Sequence, residues 1–271
     1  RIGIETIRKH NGVIVADVVG LGKSIIGATI ARNLDIRTLV IAPPHLTKQW
    51  EDYAFDFKVR AKVFSRGNME RILEEYRTLR RQNEEWLIIV DEAHAYRNEY
   101  TKDYAILHEI CQGNKVLLLT ATPFNNRPED IYTMIKLFQI PSKSTLQTVS
   151  NLGSEFAHWI AQYKKLKTDQ RLKKKGKSEI ELAINNIGNN IRKIIEPLVI
   201  RRSRIDLEKI PAYNEDLAIQ QIKFPKVSAP EEKEYDLGDL ESIYRYTLKR
   251  ICPSPKDREN ADDYQNEDLE Y

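Results

Sequence analysis

Residues 14–24 read IVADVVGLGKS, and the fold turns on how that stretch is taken. An apolar run ends at Asp17, glycines follow at Gly20 and Gly22 around Leu21, and Lys23–Ser24 opens a segment with helical spacing. This is the strand–loop–helix context of a phosphate-binding loop. Glycines let backbone N–H groups turn inward and a helix N-terminus favours anions. A lysine reaches terminal phosphates, and a hydroxyl can hold Mg²⁺. Asp17 stands where the usual pattern has glycine, and aspartate lacks glycine's freedom at positive φ. The residues alone leave two readings, a nucleotide loop or an ordinary strand-to-helix turn. A dinucleotide-binding turn is weaker, because Ile25 occupies the place of the third glycine.

Outward from this stretch, short apolar runs recur: GVIVAD, TLVIAP, AKVF, WLIIVD and KVLLLTAT. They do not alternate, which is how strands buried on both faces read. Between them GKSIIGATIARNL, HLTKQWEDYAFDF, NMERILEEYRTLRRQ and TKDYAILHEICQ read as helices. The alternation predicts an α/β fold, a mostly parallel sheet flanked by helices. Ligands in such sheets sit at the carboxyl ends of the strands.

After residue 140 the pattern changes. STLQTVSNLGSEFAHWIAQYKKLK and SEIELAINNIGNNIRKIIE read as two helices, the second with Ile180, Ile184, Ile187, Ile191 and Ile194 on one face. The expected organisation is a lobe over 1–140, a helical insertion over 141–198 and a return to the lobe over 199–228. A helical linker follows over 229–271. LVIRR has strand character, NEDLAIQQIKFP alternates like a strand, and the acidic end has no core-forming pattern.

The 271 residues are 41% hydrophobic and 31% charged, a globular balance that excludes a disordered chain. No apolar run is long enough to span a bilayer. Cys111 and Cys252 lie far apart, which points to a reducing compartment such as the cytoplasm and to no cysteine metal site. The net charge of +3 conceals a basic run at Lys164–Lys177 and an acidic end at 257–271. The basic run reads as a solvated helix face unless other features point to nucleic acid.

Two further strand ends carry chemistry. WLIIVDEAH, 86–94, delivers Asp91 and Glu92 together to one edge. One carboxylate can hold Mg²⁺ through water while its neighbour orients and deprotonates an attacking water. As structural residues, Glu92 and His94 would instead cap the next helix. KVLLLTATPFNN, 115–126, ends in Thr120 and Thr122, a strand-end turn by itself and a candidate sensor in company.

Taken in order, ADVVGLGKS, TLVIAPPHLTKQW, DEAH, LLLTATPFNN and LVIRRSRIDLEKIP resemble the motifs of Swi/Snf-type helicase-like ATPases of superfamily two. The wording is most similar to bacterial members, and the likeness runs from about Val13 to Pro211. An Ala-Asp pair before the glycines is usual in that family. The resemblance implies a RecA-like P-loop NTPase lobe. Asp17, Gly20, Leu21, Gly22, Lys23 and Ser24 would then bind ATP, and Ser24 with Asp91 would hold Mg²⁺. Lys23, Asp91 and Glu92 would be catalytic. His94, Thr120 and Thr122 would relay nucleotide state. Pro43, His45, Ser65, Arg66, Arg201 and Arg202 would be candidates for nucleic-acid contact, with Arg201 and Arg202 equally suited to acidic partners. Trp50 reads as a packing residue. Relatives have a second lobe that supplies arginines, and nothing after Pro211 resembles it. The expectation is a first lobe whose isolated form turns ATP over poorly. The implied machine is an ATP-dependent motor on double-stranded DNA. An RNA helicase, a motor subunit of a restriction or anti-phage nuclease, and a non-hydrolysing nucleotide-gated module stay open beside it.

Overall fold

The computed structural model describes residues 1–18, 20–82, 84–121, 127–171, 176–203, 206, 209–219, 221 and 238–251. The chain divides into two compact units, Arg1–Ile222 and Lys223–Tyr271, each described by itself. The first begins with α1 (Ile2–His10) and β1 (Gly12–Val15), then α2 (Lys23–Leu34), β2 (Thr38–Ala42) and α3 (Thr47–Asp56). It continues with β3 (Ala61–Ser65), α4 (Met69–Leu79), β4 (Leu87–Asp91), α5 (Lys102–Cys111) and β5 (Lys115–Leu119). After these come α6 (Pro128–Ile135), α7 (Leu152–Arg171), α8 (Lys177–Ile195) and β6 (Val199–Ile200).

The strands form one sheet in the order β3-β2-β4-β5-β1-β6. Every pairing is parallel, with Val15 opposite Leu119 and Asp91 opposite Leu119. The expected parallel sheet, flanked by helices on both sides, is therefore present. Side chains alternate across a strand, so the sheet has two apolar faces. Ile14, Leu39, Ile88, Val90 and Leu118 pack with α4, α5 and α6. Val13, Val40, Ile89, Leu117 and Leu119 pack with α1, α2 and α3. The central strands β1, β2 and β4 are buried along their whole length, which explains why their sequences run apolar without alternation. Burying each large side chain contributes roughly 1.5–3 kcal/mol.

Local signals set the helix starts. Asn68 accepts a hydrogen bond from the Arg71 N–H at 3.0 Å, and Thr101 accepts one from Tyr104 at 3.2 Å, each a side-chain cap. Pro128 opens α6 at a position where its missing N–H costs nothing.

The isoleucine face of α8 lies inward. Ile180, Ile187, Ile191 and Ile194 are buried and Ile184 is partly so. Phe156 of α7 stacks on Tyr132 of α6 with centroids 4.6 Å apart, so the core under the helical pair is continuous with the core under the sheet. On α7, Lys164 pairs with Glu129 at 3.4 Å, and Lys167 lies 5.7 Å from the Tyr163 ring centroid. Residues 172–175 of the basic run lie outside the described residues.

Two expectations need correction. Residues 144–151 are not helical, and α7 begins only at Leu152. The alternating stretch NEDLAIQQIKFP, 214–225, is also not a strand where it is described: its residues 214–219 belong to the helix Pro211–Ile219, and 220 and 222–225 lie outside the described residues. Alternation over so few residues does not exclude a helix, and Pro211 sits at its start, where proline is favoured. In the second unit the described part is a 3₁₀ turn at Gly238–Leu240 and a helix at Glu241–Ile251. Among the described residues no helix is long and apolar enough to cross a membrane.

Candidate nucleotide-binding site

Because all six strands run parallel, their carboxyl ends form one rim. Asp17 follows β1, Pro43 and His45 follow β2, Ser65 closes β3, Asp91 closes β4, Thr120 follows β5 and Arg201 follows β6.

Gly20 and Gly22 have φ of 86° and 70°, the left-handed region in which a side chain is strained. Gly22 is also the residue before α2, and it has no side chain with which to cap that helix end. The first N–H groups of α2 therefore keep their positive partial charge for an external anion. Asp17 is not among the positive-φ residues, so glycine's freedom is not needed there. Lys23 folds back over the loop: its Nζ donates to the carbonyl oxygens of Asp17 at 3.1 Å and Val18 at 3.5 Å.

The decisive contact lies between two segments 67 positions apart. Ser24 Oγ donates to Asp91 Oδ2 at 3.3 Å. Asp91 is 3% exposed, and a buried carboxylate is costly unless its oxygens find donors. Trp50 Nε1 donates to the same Oδ2 at 2.8 Å, and the Glu92 backbone N–H donates to Oδ1 at 2.9 Å. Trp50 is buried against α2, as expected of a packing residue, but its indole N–H also orients Asp91. Gly27 makes that approach possible, since a Cβ there would lie 2.8 Å from Trp50 Cη2.

Glu92 itself has φ 51° and ψ 48°, an uncommon conformation for a non-glycine residue. It stands just before a short 3₁₀ turn at Ala93–Tyr96, makes no side-chain cap hydrogen bond to it, and leaves its side chain partly exposed at the rim. His94 Nδ1 approaches Glu92 Oε2 to 3.0 Å without hydrogen-bond alignment. Thr120 is fully buried, with its backbone N–H bonded to the Val15 carbonyl at 3.1 Å. Thr122 lies outside the described residues.

Residues 53–236 match the SNF2-related domain family. The chain is a member of that family. The matched span begins after the nucleotide loop, so Gly20–Ser24 rest on their own geometry. An uncharacterized ATP-dependent helicase of Bacillus subtilis, YqhH, is 29% identical over half of this chain and 28% of its own length. The human DNA excision repair protein ERCC-6-like is 26% identical over 81% of this chain and 19% of its own length. A mouse SWI/SNF-related matrix-associated actin-dependent regulator of chromatin, subfamily A member 1, is 26% identical over 74% of this chain and 20% of its own. The SNF2-related chain thus spans less than a third of each. Among solved structures, the Sulfolobus solfataricus SWI2/SNF2 ATPase core in complex with dsDNA aligns with a TM-score of 0.52 at 19% identity. That alignment covers 78% of this chain and 44% of the other, and it shows a shared RecA-like fold.

Elsewhere on the rim of the SNF2-related domain, Pro43 is buried and sets the turn in which His45 is exposed. Ser65 Oγ accepts from the Gly67 N–H at 3.4 Å. Arg66 donates its backbone N–H to the Ala42 carbonyl at 3.0 Å, while its Nη1 is buried without a hydrogen-bond partner. Arg201 is exposed. Arg202, expected to face a phosphate or an acidic partner, turns inward onto Asp17 instead. Its backbone N–H donates at 2.8 Å and Nε at 3.1 and 3.3 Å, and Nη2 also donates. Asp17 is fully buried, and burial drives it to the cation that the sequence places 185 positions away. Neither Trp50–Asp91 nor Asp17–Arg202 has a local signal in the sequence.

Proposed function

We propose that this chain is the first lobe of an ATP-driven motor that moves along double-stranded DNA. The observation that carries the reading is the Ser24–Asp91 contact, which joins the glycine loop to the acidic strand end at one rim. A hydroxyl and a carboxylate are hard oxygen donors suited to Mg²⁺. Among the described residues no group of three or more His, Cys, Asp or Glu side chains could hold a metal by itself. That suits a cation completed by substrate phosphates.

Bound Mg²⁺–ATP supplies the transferable phosphoryl group and a counter-charge for it. In this reading Gly20, Leu21 and Gly22 present backbone N–H groups to the phosphates and Lys23 leaves its loop carbonyls to reach them. Ser24 and Asp91 hold the cation, and Glu92 orients and deprotonates the attacking water. His94, Thr120 and Thr122 relay the state of the site along the rim. Pro43, His45, Ser65, Arg66 and Arg201 meet the DNA backbone, which makes binding independent of sequence and steeply dependent on salt. Residues 1–140 with 199–228 form the lobe, 141–198 the helical insertion and 229–271 the link to a second lobe. Arginines from that second lobe complete the site; such a group is commonly worth about 10³–10⁵ in rate.

The support is the SNF2-related family match, the fold shared with an ATPase core whose own structure holds dsDNA, and the rim geometry. The test is ATPase stimulation of the longer native protein by duplex DNA, single-stranded DNA and RNA. Duplex DNA is expected to stimulate most, and Glu92→Gln to abolish turnover while leaving nucleotide binding intact. Strongest stimulation by RNA would replace this reading with an RNA helicase. Unchanged turnover in Glu92→Gln would remove the hydrolytic role.

A further inference from the structure

We propose that Arg202 is a positioning residue for the nucleotide loop and acts through Asp17. The inference rests on the phosphate-binding role proposed above for Gly20–Ser24. Asp17 is fully buried at the point where β1 becomes the loop, and a carboxylate there destabilises the fold unless it is paired and hydrogen-bonded. Arg202 supplies both needs. Its backbone N–H donates to one oxygen, and its guanidinium fork grips the two together. The fork's planar geometry fixes orientation as well as charge.

The backbone reinforces the hold. β6 pairs with β1 at two positions, Ile14–Val199 and Val15–Ile200. The hydrogen bonding continues beyond them, with Ala16 N–H donating to the Ile200 carbonyl at 2.7 Å and Val18 N–H to the Arg202 carbonyl at 3.3 Å. From the other side, Lys23 Nζ grips the Asp17 and Val18 carbonyls. The Asp17–Val18 corner is thus held by two cations, one of which is the residue proposed to leave it for phosphate. Arg202 is the one that remains. Its guanidinium carbon sits 6.0 Å from the ring centroid of Tyr213, on the helix Pro211–Ile219. Its side chain is only 26% exposed. A guanidinium engaged in this way has little left to offer a DNA phosphate.

The experiment uses the full-length native protein with Arg202→Lys, Arg202→Gln and Asp17→Asn. Three quantities are read: the affinity for ATP, with a fluorescent ATP analogue, the KM for ATP, and the slope of log affinity for duplex DNA against log salt. Arg202→Gln and Asp17→Asn are expected to weaken ATP binding about ten- to a hundred-fold, the usual scale for losing an outer-shell partner. Arg202→Lys, which keeps the charge but loses the fork, should show a smaller loss. The DNA salt slope should stay unchanged in all three. A slope reduced by about one, with ATP affinity intact, would make Arg202 a phosphate contact and overturn the proposal. Unchanged ATP affinity together with an unchanged slope would overturn it as well. Melting without nucleotide checks folding, and if Arg202→Gln unfolds, the charge-conserving Arg202→Lys decides. An unaltered protein that binds no ATP analogue would instead sink the motor reading itself.

Discussion

Trp50 and Asp91 are 41 positions apart, and the indole N–H of one donates to Oδ2 of the other at 2.8 Å inside the buried site. The same oxygen receives the Ser24 hydroxyl, so the indole fixes which way the carboxylate faces. Trp50→Phe keeps an aromatic ring against Gly27 but removes the donor. The expected result is a stability loss of about 1–3 kcal/mol from the under-satisfied carboxylate and a fall in turnover of about tenfold or more. Melting and steady-state ATPase measure both. Unchanged turnover would confine Trp50 to packing.

Two glycines in helices should respond oppositely to alanine. At Gly27 a Cβ would stand 2.8 Å from Trp50 Cη2 and 3.2 Å from Leu119 Cδ1, and such overpacking typically costs about 1–3 kcal/mol. That exceeds the helix-propensity gain of up to about 1 kcal/mol, so Gly27→Ala should destabilise and displace the indole from Asp91. At Gly188, in α8, a Cβ meets nothing within 4 Å. Gly188→Ala should therefore stabilise by about 0.4–1 kcal/mol. Urea denaturation of the two variants provides the comparison, and a shared sign would refute the argument.

The helical pair should unfold with the sheet rather than before it, because Ile191 is 1% exposed within the cluster that holds Ile88 and Leu118. Ile191→Ala is expected to cost about 2–5 kcal/mol of global stability. Leu182→Ala, at a position 65% exposed, should change stability by less than about 0.5 kcal/mol. A separate early transition in Ile191→Ala, seen by two probes with different midpoints, would show an independent hairpin.

Acid should weaken the fold through two histidines. Burial lowers the pKa of His10, with Lys9 adding to the effect, and burial lowers that of His108, with Lys136 adding. The unfolded chain takes up these protons near pH 6.5, while the folded chain resists doing so. The stabilisation is fully present above about pH 6.5 and is lost as pH falls toward the lower folded values. Melting temperature should therefore drop between about pH 7.5 and about pH 5.5. His10→Gln with His108→Gln should flatten that slope. The amide introduced by His10→Gln keeps a polar partner for Thr145, whose Oγ1 lies 2.8 Å from Nδ1 of the native ring. An equally steep slope in the double variant would place the acid sensitivity elsewhere.

What the sequence determined by itself was the local architecture. The apolar runs became β1, β2, β4 and β5 because burial on both faces leaves no room for polar alternation. Gly20 and Gly22 were legible because a tight turn into a helix demands positive φ, and both have it. The isoleucine stripe of α8 was legible from its 3.6-residue period. Where signals were short or mixed, as at 144–151 and 214–219, local pattern misled.

Only the tertiary structure decided which distant residues meet. The meeting of Ser24 and Asp91 was expected from the motifs, but that Trp50 is a hydrogen-bond donor as well as a packed ring, and that Asp17 takes Arg202, are consequences of how the chain folds. β6 lies beside β1 and β4 lies two strands away. Periodicity and propensity act over a turn or a strand. A buried carboxylate must be satisfied by whatever donor the sheet topology brings to it, and that choice is written in no neighbouring residue.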